Sequence, residues 1–135
     1  MAHYLDTSAL VKLVVAEAES VALREWLSGS DRQAASSDLA RTELARAVRR
    51  AAPHLAGQAR AVLDSLVLLD LTAEMCEQAG RLGPPSLRSL DAMHLAAALR
   101  LGDELDGLIT YDDRLAEATA ALGIPVLAPG APAHR

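Results

Sequence analysis

The chain has 135 residues, 51% hydrophobic and 23% charged, which is a globular composition with enough length to bury roughly two-thirds of its unfolded surface. A formal net charge of −5 excludes a histone-like binder held to nucleic acid by bulk charge. A single cysteine, Cys76, excludes an intramolecular disulfide framework and reads as a small buried apolar side chain in a reducing compartment.

Strand and helix signals alternate along the chain. His3-Tyr4-Leu5-Asp6 reads as a first strand, followed by helices over 8–16 and 19–27. In the second of these Val21, Ala22, Trp26 and Leu27 are expected to face the core, and residues 28–30 end it. A weak strand over 33–36 precedes Asp38, the expected N-cap of a helix over 39–52 that Pro53 stops. A helix over 55–66 leads to a buried strand over 67–71, and Thr72 caps a helix over 73–82. Gly83-Pro84-Pro85 is the clearest loop.

Ser89 is then the expected N-cap of a helix through Leu101, which places Asp91 in the first turn, where free N–H groups and the dipole favour negative charge. The chain reverses across 102–107 and returns as the apolar strand Leu108-Ile109. That strand delivers Asp112 to its carboxyl end, where open parallel sheets bind ligands. A helix over 113–122, a stop at Gly123 and an edge strand over 125–127 follow, and residues 128–135 are expected to be a loose tail. The order predicts one α/β domain over 1–135, a three-layer α/β/α sandwich around a parallel sheet of about five strands. With no basic-then-apolar leader and no apolar run of about 18 residues, the protein is expected to be soluble and cytoplasmic.

Four acids stand where chemistry can be built, although each has an ordinary reading. Asp6 or Ser8 can cap the first helix; Glu43 can pair on a helix surface with Arg46 or Arg50; Asp91 suits any first turn; Asp112 or Asp113 can cap the last helix. The joint pattern is more specific. Asp6-Thr7-Ser8-Ala9-Leu10-Val11, a helical Glu43, Leu90-Asp91-Ala92-Met93-His94-Leu95-Ala96 and Thr110-Tyr111-Asp112-Asp113-Arg114-Leu115 together resemble the PIN-domain ribonucleases. The likeness is closest to the VapC toxins of bacterial and archaeal toxin–antitoxin pairs, and runs from Tyr4 to about Leu127. It implies acidic site positions at Asp6, Glu43, Asp91 and Asp112, supported by the hydroxyls of Ser8 and Thr110, with Asp113 the alternative to Asp112. It also implies RNA as substrate, a homodimer, and a VapB-like antitoxin whose arginine or lysine blocks the pocket.

Such a cluster needs a cation, because two carboxylates about 4–5 Å apart repel by roughly 3–4 kcal/mol at an effective dielectric near 20. Hard oxygen donors without a cysteine–histidine set suit Mg²⁺ or Mn²⁺. The expectation is phosphodiester hydrolysis with Asp6 and Asp91 as metal ligands, and Glu43 and Asp112 completing the shell or orienting water. Arg88 and Arg114 flank the acidic motifs as candidates for RNA phosphate contacts. Arg41, Arg46, Arg49, Arg50 and Arg60 read as a solvated helix face or as a phosphate-contacting rim. Lys12 and Glu17 border the cleft or the surface, and residues 10–15 and 21–27 offer a partner groove or ordinary core.

His94 reads as a packed helix histidine, with hydrogen bonding in the cleft as the alternative; His3, His54 and His134 show no ligand spacing. Ser8 lacks a nearby histidine and a nucleophile elbow. A non-catalytic PIN-like module binding RNA or protein is the alternative function. Aspartyl phosphotransfer at Asp6 is disfavoured, because Ser8 stands where a second aspartate is needed and Lys12 is the only early lysine.

Overall fold

The computed structural model describes residues 1–29 and 31–132; residue 30 of the expected helix stop and the tail residues 133–135, with His134, lie outside the described residues. Among the described residues β1 (Ala2–Leu5), β2 (Gln33–Ser37), β3 (Val67–Leu69), β4 (Leu105–Ile109) and β5 (Val126–Leu127) form one parallel sheet in the order β3-β2-β1-β4-β5. The helices are α1 (Thr7–Lys12), α2 (Ser20–Leu27), α3 (Leu39–Ala51), α4 (Ala56–Ser65), α5 (Ala73–Arg81), α6 (Ser89–Leu99) and α7 (Asp113–Ala121). From β1 the chain moves outward to β2, and from β4 it moves outward the other way to β5. The carboxyl ends of β1 and β4 therefore lie side by side where the winding direction reverses, which is where this class of sheet opens a crevice.

Alternate residues of the central strands face opposite layers. Leu5 and Ile109 pack with Leu10, Leu23, Leu44, Val48 and Leu63 of α1 to α4. Tyr4 and Leu108 pack with Met75, Leu95 and Leu115 of α5, α6 and α7. Each fully buried leucine contributes about 1.5–3 kcal/mol relative to exposure. The three-layer sandwich read from the sequence is the observed architecture.

Local differences have local causes. β3 was expected to be buried; it is an edge of the sheet, it ends at Leu69, and Val67 is 42% exposed. α2 buries Ser20 and Leu23, so its inward stripe turns Val21 out to 64% exposure. Residues 10–15 mostly supply core, with Leu10 and Val14 buried. Asp38 stands before α3 in helical backbone, so its carboxylate makes no cap bond and takes Arg41 Nε at 2.8 Å instead. Ser89 is the first helical residue of α6 and Arg88 occupies the cap position, without a capping side chain. Residues 53–55 form a separate 3₁₀ turn before α4. Cys76 is exposed on α5, whose inward positions are Met75 and Ala79. Thr72 caps that helix as expected, its Oγ1 accepting from Met75 N at 3.1 Å.

Gly107 has a packing reason: a Cβ there would lie 2.7 Å from Leu127 Cδ1 and 3.1 Å from the Pro125 carbonyl, blocking the approach of β5. Residues 129 and 130 of the expected loose tail are tied down, because Tyr111 Oη donates to the Pro129 carbonyl at 2.8 Å and Gly130 packs on Ala22 and Glu19. Among the described residues no helix is long and apolar enough to cross a membrane.

Candidate active site

β1 ends one residue before Asp6, whose backbone N–H reaches the Ile109 carbonyl of β4. The extended backbone of Asp6 makes it the N-cap of α1, with Oδ1 accepting from Ala9 N at 3.2 Å. The same oxygen accepts from Ser8 Oγ at 2.7 Å, and Oδ2 accepts from Thr110 Oγ1 at 2.8 Å. Each hydroxyl in turn accepts a backbone N–H from the segment after β4: Tyr111 N on Ser8 Oγ at 2.9 Å and Asp112 N on Thr110 Oγ1 at 3.0 Å. Each hydroxyl proton is thus committed to Asp6, so the 3.3 Å separation between Ser8 Oγ and Thr110 Oγ1 is a contact without a proton of its own. Asp6 is only 3% exposed, and burial raises its pKa against the opposing effects of Ser8, His94 and Thr110.

Glu43 lies in the second turn of α3, which starts beyond the carboxyl end of β2. The expected pairing with Arg46 or Arg50 is replaced by two partners from other elements. Thr7 Oγ1 donates to Oε1 at 2.5 Å, and His94 Nε2 lies 2.6 Å from the same oxygen. Burial alone would raise the Glu43 carboxyl, but the His94 and Thr7 hydrogen bonds outweigh it and hold the group below its usual range. His94 is buried, as a packed helix histidine would be, yet both ring nitrogens are engaged; Nδ1 is 2.7 Å from Tyr4 Oη. Tyr4 also reaches Ser37 Oγ at 3.0 Å, and burial raises its phenol so that it stays protonated.

Asp91 and Asp112 make the other half of the site. Asp91 lies in the first turn of α6 with Oδ2 shut off from solvent and without a hydrogen-bond partner; Arg88 Nε stands 3.5 Å from it. Burial raises the Asp91 pKa, repulsion from Asp112 adds to the rise, and Arg88 and His94 oppose it. Asp112 caps α7 through Oδ1, which accepts from Arg114 N at 2.9 Å and Leu115 N at 3.1 Å. Its Oδ2 faces Arg88 Nη2 at 3.4 Å, which sets Asp112 beside Arg88 and Asp91.

The donor set fits a hard divalent cation. Asp91 Oδ2 is a buried oxygen without a hydrogen bond, faced by Arg88 Nε at 3.5 Å, and Asp112 and Glu43 both raise the Asp91 carboxyl electrostatically. Among the described residues no three aspartate, glutamate, histidine or cysteine side chains form a ready-made chelate. Both carboxylate oxygens of Asp6 and one of Glu43 are already occupied by the fold. That arrangement suits an ion that keeps several waters and takes only one or two carboxylates directly.

Every acid expected at the site lies at one end of the sheet, and Ser8 and Thr110 brace Asp6. Arg88 bridges Asp91 and Asp112 through long contacts and is 66% exposed. Arg114 is exposed on the first turn of α7 and contributes its backbone N–H to Asp112. Arg41, Arg49 and Arg60 rim an apolar pocket between α3 and α4, with Arg41 and Arg60 paired to Asp38 and Asp64. Lys12 pairs with Glu19 at 2.8 Å and Glu17 at 3.3 Å and lies over the Tyr111 ring at 4.7 Å, bracing the segment between Thr110 and Asp112. Sequence reasoning missed Tyr4, Thr7 and Ser37 as supports. The signal available for Thr7 was its place between Asp6 and Ser8; for Tyr4 it was a hydroxyl in an otherwise apolar strand.

The PIN domain family matches residues 3–121. Ribonuclease VapC47 of Mycobacterium tuberculosis is 46% identical over 132 residues, covering 95% of this chain and 97% of that protein. The crystal structure of Mycobacterium tuberculosis VapC20, described as a Sarcin-Ricin loop cleaving toxin, superposes with a TM-score of 0.73 at 20% identity, covering 94% of this chain and 99% of that one. VapBC2 from Rickettsia felis, solved on a DNA fragment from its promoter, gives 0.65 at 17% identity, covering 96% and 99%. These two structures share the fold.

Proposed function

The chain belongs to the PIN-domain family, among the VapC ribonucleases, and from that premise we propose that it is the toxin of a toxin–antitoxin pair, an endoribonuclease that hydrolyses RNA with a divalent ion at Asp6, Glu43, Asp91 and Asp112. The observation that carries the reading is the buried Asp91 Oδ2, which accepts no hydrogen bond and is faced only at 3.5 Å by Arg88, beside Asp112, an anionic corner that a cation would complete. Mg²⁺ or Mn²⁺ matches the all-oxygen donor set. When bound, the ion supplies charge neutralisation on the phosphate and a more acidic water.

The chain's own residues do the rest. Ser8 and Thr110 fix both oxygens of Asp6, Thr7 and His94 fix one oxygen of Glu43, and Glu43 Oε2 and Asp112 Oδ2, the latter held only by a long contact from the exposed Arg88, would hold or orient water. Arg88 and Arg114 at the rim offer charge to RNA phosphates, which an acidic pocket would otherwise repel. The same pocket would accept an arginine or lysine of a cognate antitoxin, and a homodimer acting in the cytoplasm completes the reading. Support for the antitoxin comes from the VapBC complex that shares this fold and from 46% identity to a VapC ribonuclease.

RNA cleavage by the wild type and Asp6→Asn, each with Mg²⁺, Mn²⁺ or EDTA, tests the proposal. Metal-dependent cutting that the variant lacks is the expected outcome. RNA binding without cutting under every condition would leave a non-catalytic module and sink the nuclease.

A further inference from the structure

We infer that His94 is a positioning residue for RNA cleavage, holding Glu43 in register with Asp91; the inference rests on the ribonuclease reading above. Its ring is 2% exposed on α6, and Asp91 precedes it by three residues on the same helix. An ionised carboxylate only accepts hydrogen bonds, so in the 2.6 Å contact with Glu43 Oε1 the donor is His94 Nε2–H. Nδ1 is then left to Tyr4 Oη at 2.7 Å, and Tyr4 is itself braced by Ser37 at 3.0 Å. The ring cannot rotate without breaking both bonds.

A glutamate near a helix start has three rotatable bonds and would ordinarily sample solvent. Here Oε1 is pinned from two sides, by Thr7 of α1 and by His94 of α6. Oε2 is the oxygen not committed to the fold. The arrangement links three elements through one atom: α3 supplies the carboxylate, α1 follows Asp6, and α6 carries both Asp91 and the clamp. A leucine could fill the space of His94 but could not donate to Glu43. The Tyr4 and His94 rings meet edge to face, with centroids 5.7 Å apart, which fixes the donor direction as well as its distance.

A double-mutant cycle decides whether His94 acts through Glu43 or only fills the core. His94→Leu is expected to lower kcat about 10- to 100-fold with little change in KM, because misplacement of a site group by about 1 Å has effects of that order. His94→Gln, which keeps a donor at similar reach, is expected to recover most of the loss. In a Glu43→Gln background His94→Leu should have no further effect, on kcat or on Mn²⁺ affinity measured by calorimetry. Tyr4→Phe removes only the hydroxyl that braces the ring and should give a smaller loss with the same pattern, so the test survives if His94→Leu fails to fold. Losses that add to those of Glu43→Gln, or equal losses for His94→Leu and His94→Gln, would overturn the positioning role. Wild type that cuts RNA while the His94 variants cut as fast would overturn the inference alone. Wild type that neither cuts RNA nor binds Mn²⁺ would overturn the ribonuclease reading and the inference with it.

Discussion

Around Asp6 both carboxylate oxygens are answered by the fold, through two hydroxyls and a helix N–H, and the hydroxyls are themselves fixed by backbone donors. Around Asp91 one oxygen is buried without a hydrogen bond, a second carboxylate lies close by, and the arginine that faces it is mostly in water. The two acids share the same direction of pKa displacement, yet the oxygens of one are held by the fold and one oxygen of the other accepts no hydrogen bond. The contrast teaches that filled acceptors offset part of the cost of burying a carboxylate, whereas an acceptor without a hydrogen bond leaves that cost standing. An unfilled one is tolerated at a stability cost.

Substitution should separate the two halves most sharply. Asp6→Asn and Asp91→Asn are each expected to reduce RNA cleavage by about 10³-fold, since loss of metal-assisted charge stabilisation removes several kcal/mol from the transition state. Their stabilities should move in opposite directions. Asp6→Asn puts an amide donor against the Ser8 or Thr110 hydroxyl and is expected to destabilise by about 2 kcal/mol in urea unfolding. Asp91→Asn removes a buried charge repelled by Asp112 and is expected to stabilise the metal-free protein by about 1 kcal/mol. Matching signs would break the comparison.

Thr110→Val tests the scaffold side alone. It removes the donor to Asp6 Oδ2 and the acceptor of Asp112 N, so a loss of about 1–2 kcal/mol and roughly tenfold slower cleavage are expected. Smaller still is the pH effect. The folded-state pKa of Asp91 is raised, so its contribution to metal-free stability is fully present below the unfolded carboxylate pKa and lost as pH rises through the folded value. The stability advantage of Asp91→Asn should therefore be greatest at neutral pH and shrink on acidification, in parallel urea titrations of the two proteins. Arg88→Ala should do least, below about 0.5 kcal/mol at moderate salt, because both of its ion pairs are long and solvated.

Much of the site was legible because backbone signals place it. A strand end and helix start locate Asp6, a first helical turn locates Asp91, and a strand end followed by a helix locates Asp112. Parallel topology then brings those ends together at the winding reversal between β1 and β4. Glu43 was legible only through its place in the family pattern, since the groups that turn it inward, Thr7 and His94, are 36 and 51 residues away. No periodicity encodes such pairs. The same limit explains Asp38, whose capping position was visible but whose helical backbone aims the carboxylate at Arg41. It explains Val67 as well, because strand hydrophobicity does not say which strand takes the edge.

Thermal unfolding of the wild type and Asp91→Asn, each with EDTA and with saturating Mn²⁺, tests most directly whether the Asp91 corner is reserved for a cation. The expected result is a higher Tm for Asp91→Asn in EDTA and a reversed order in Mn²⁺, because only the wild type gains fully from the ion. Equal Mn²⁺ stabilisation of both proteins, or a wild type that is the more stable in EDTA, would contradict it.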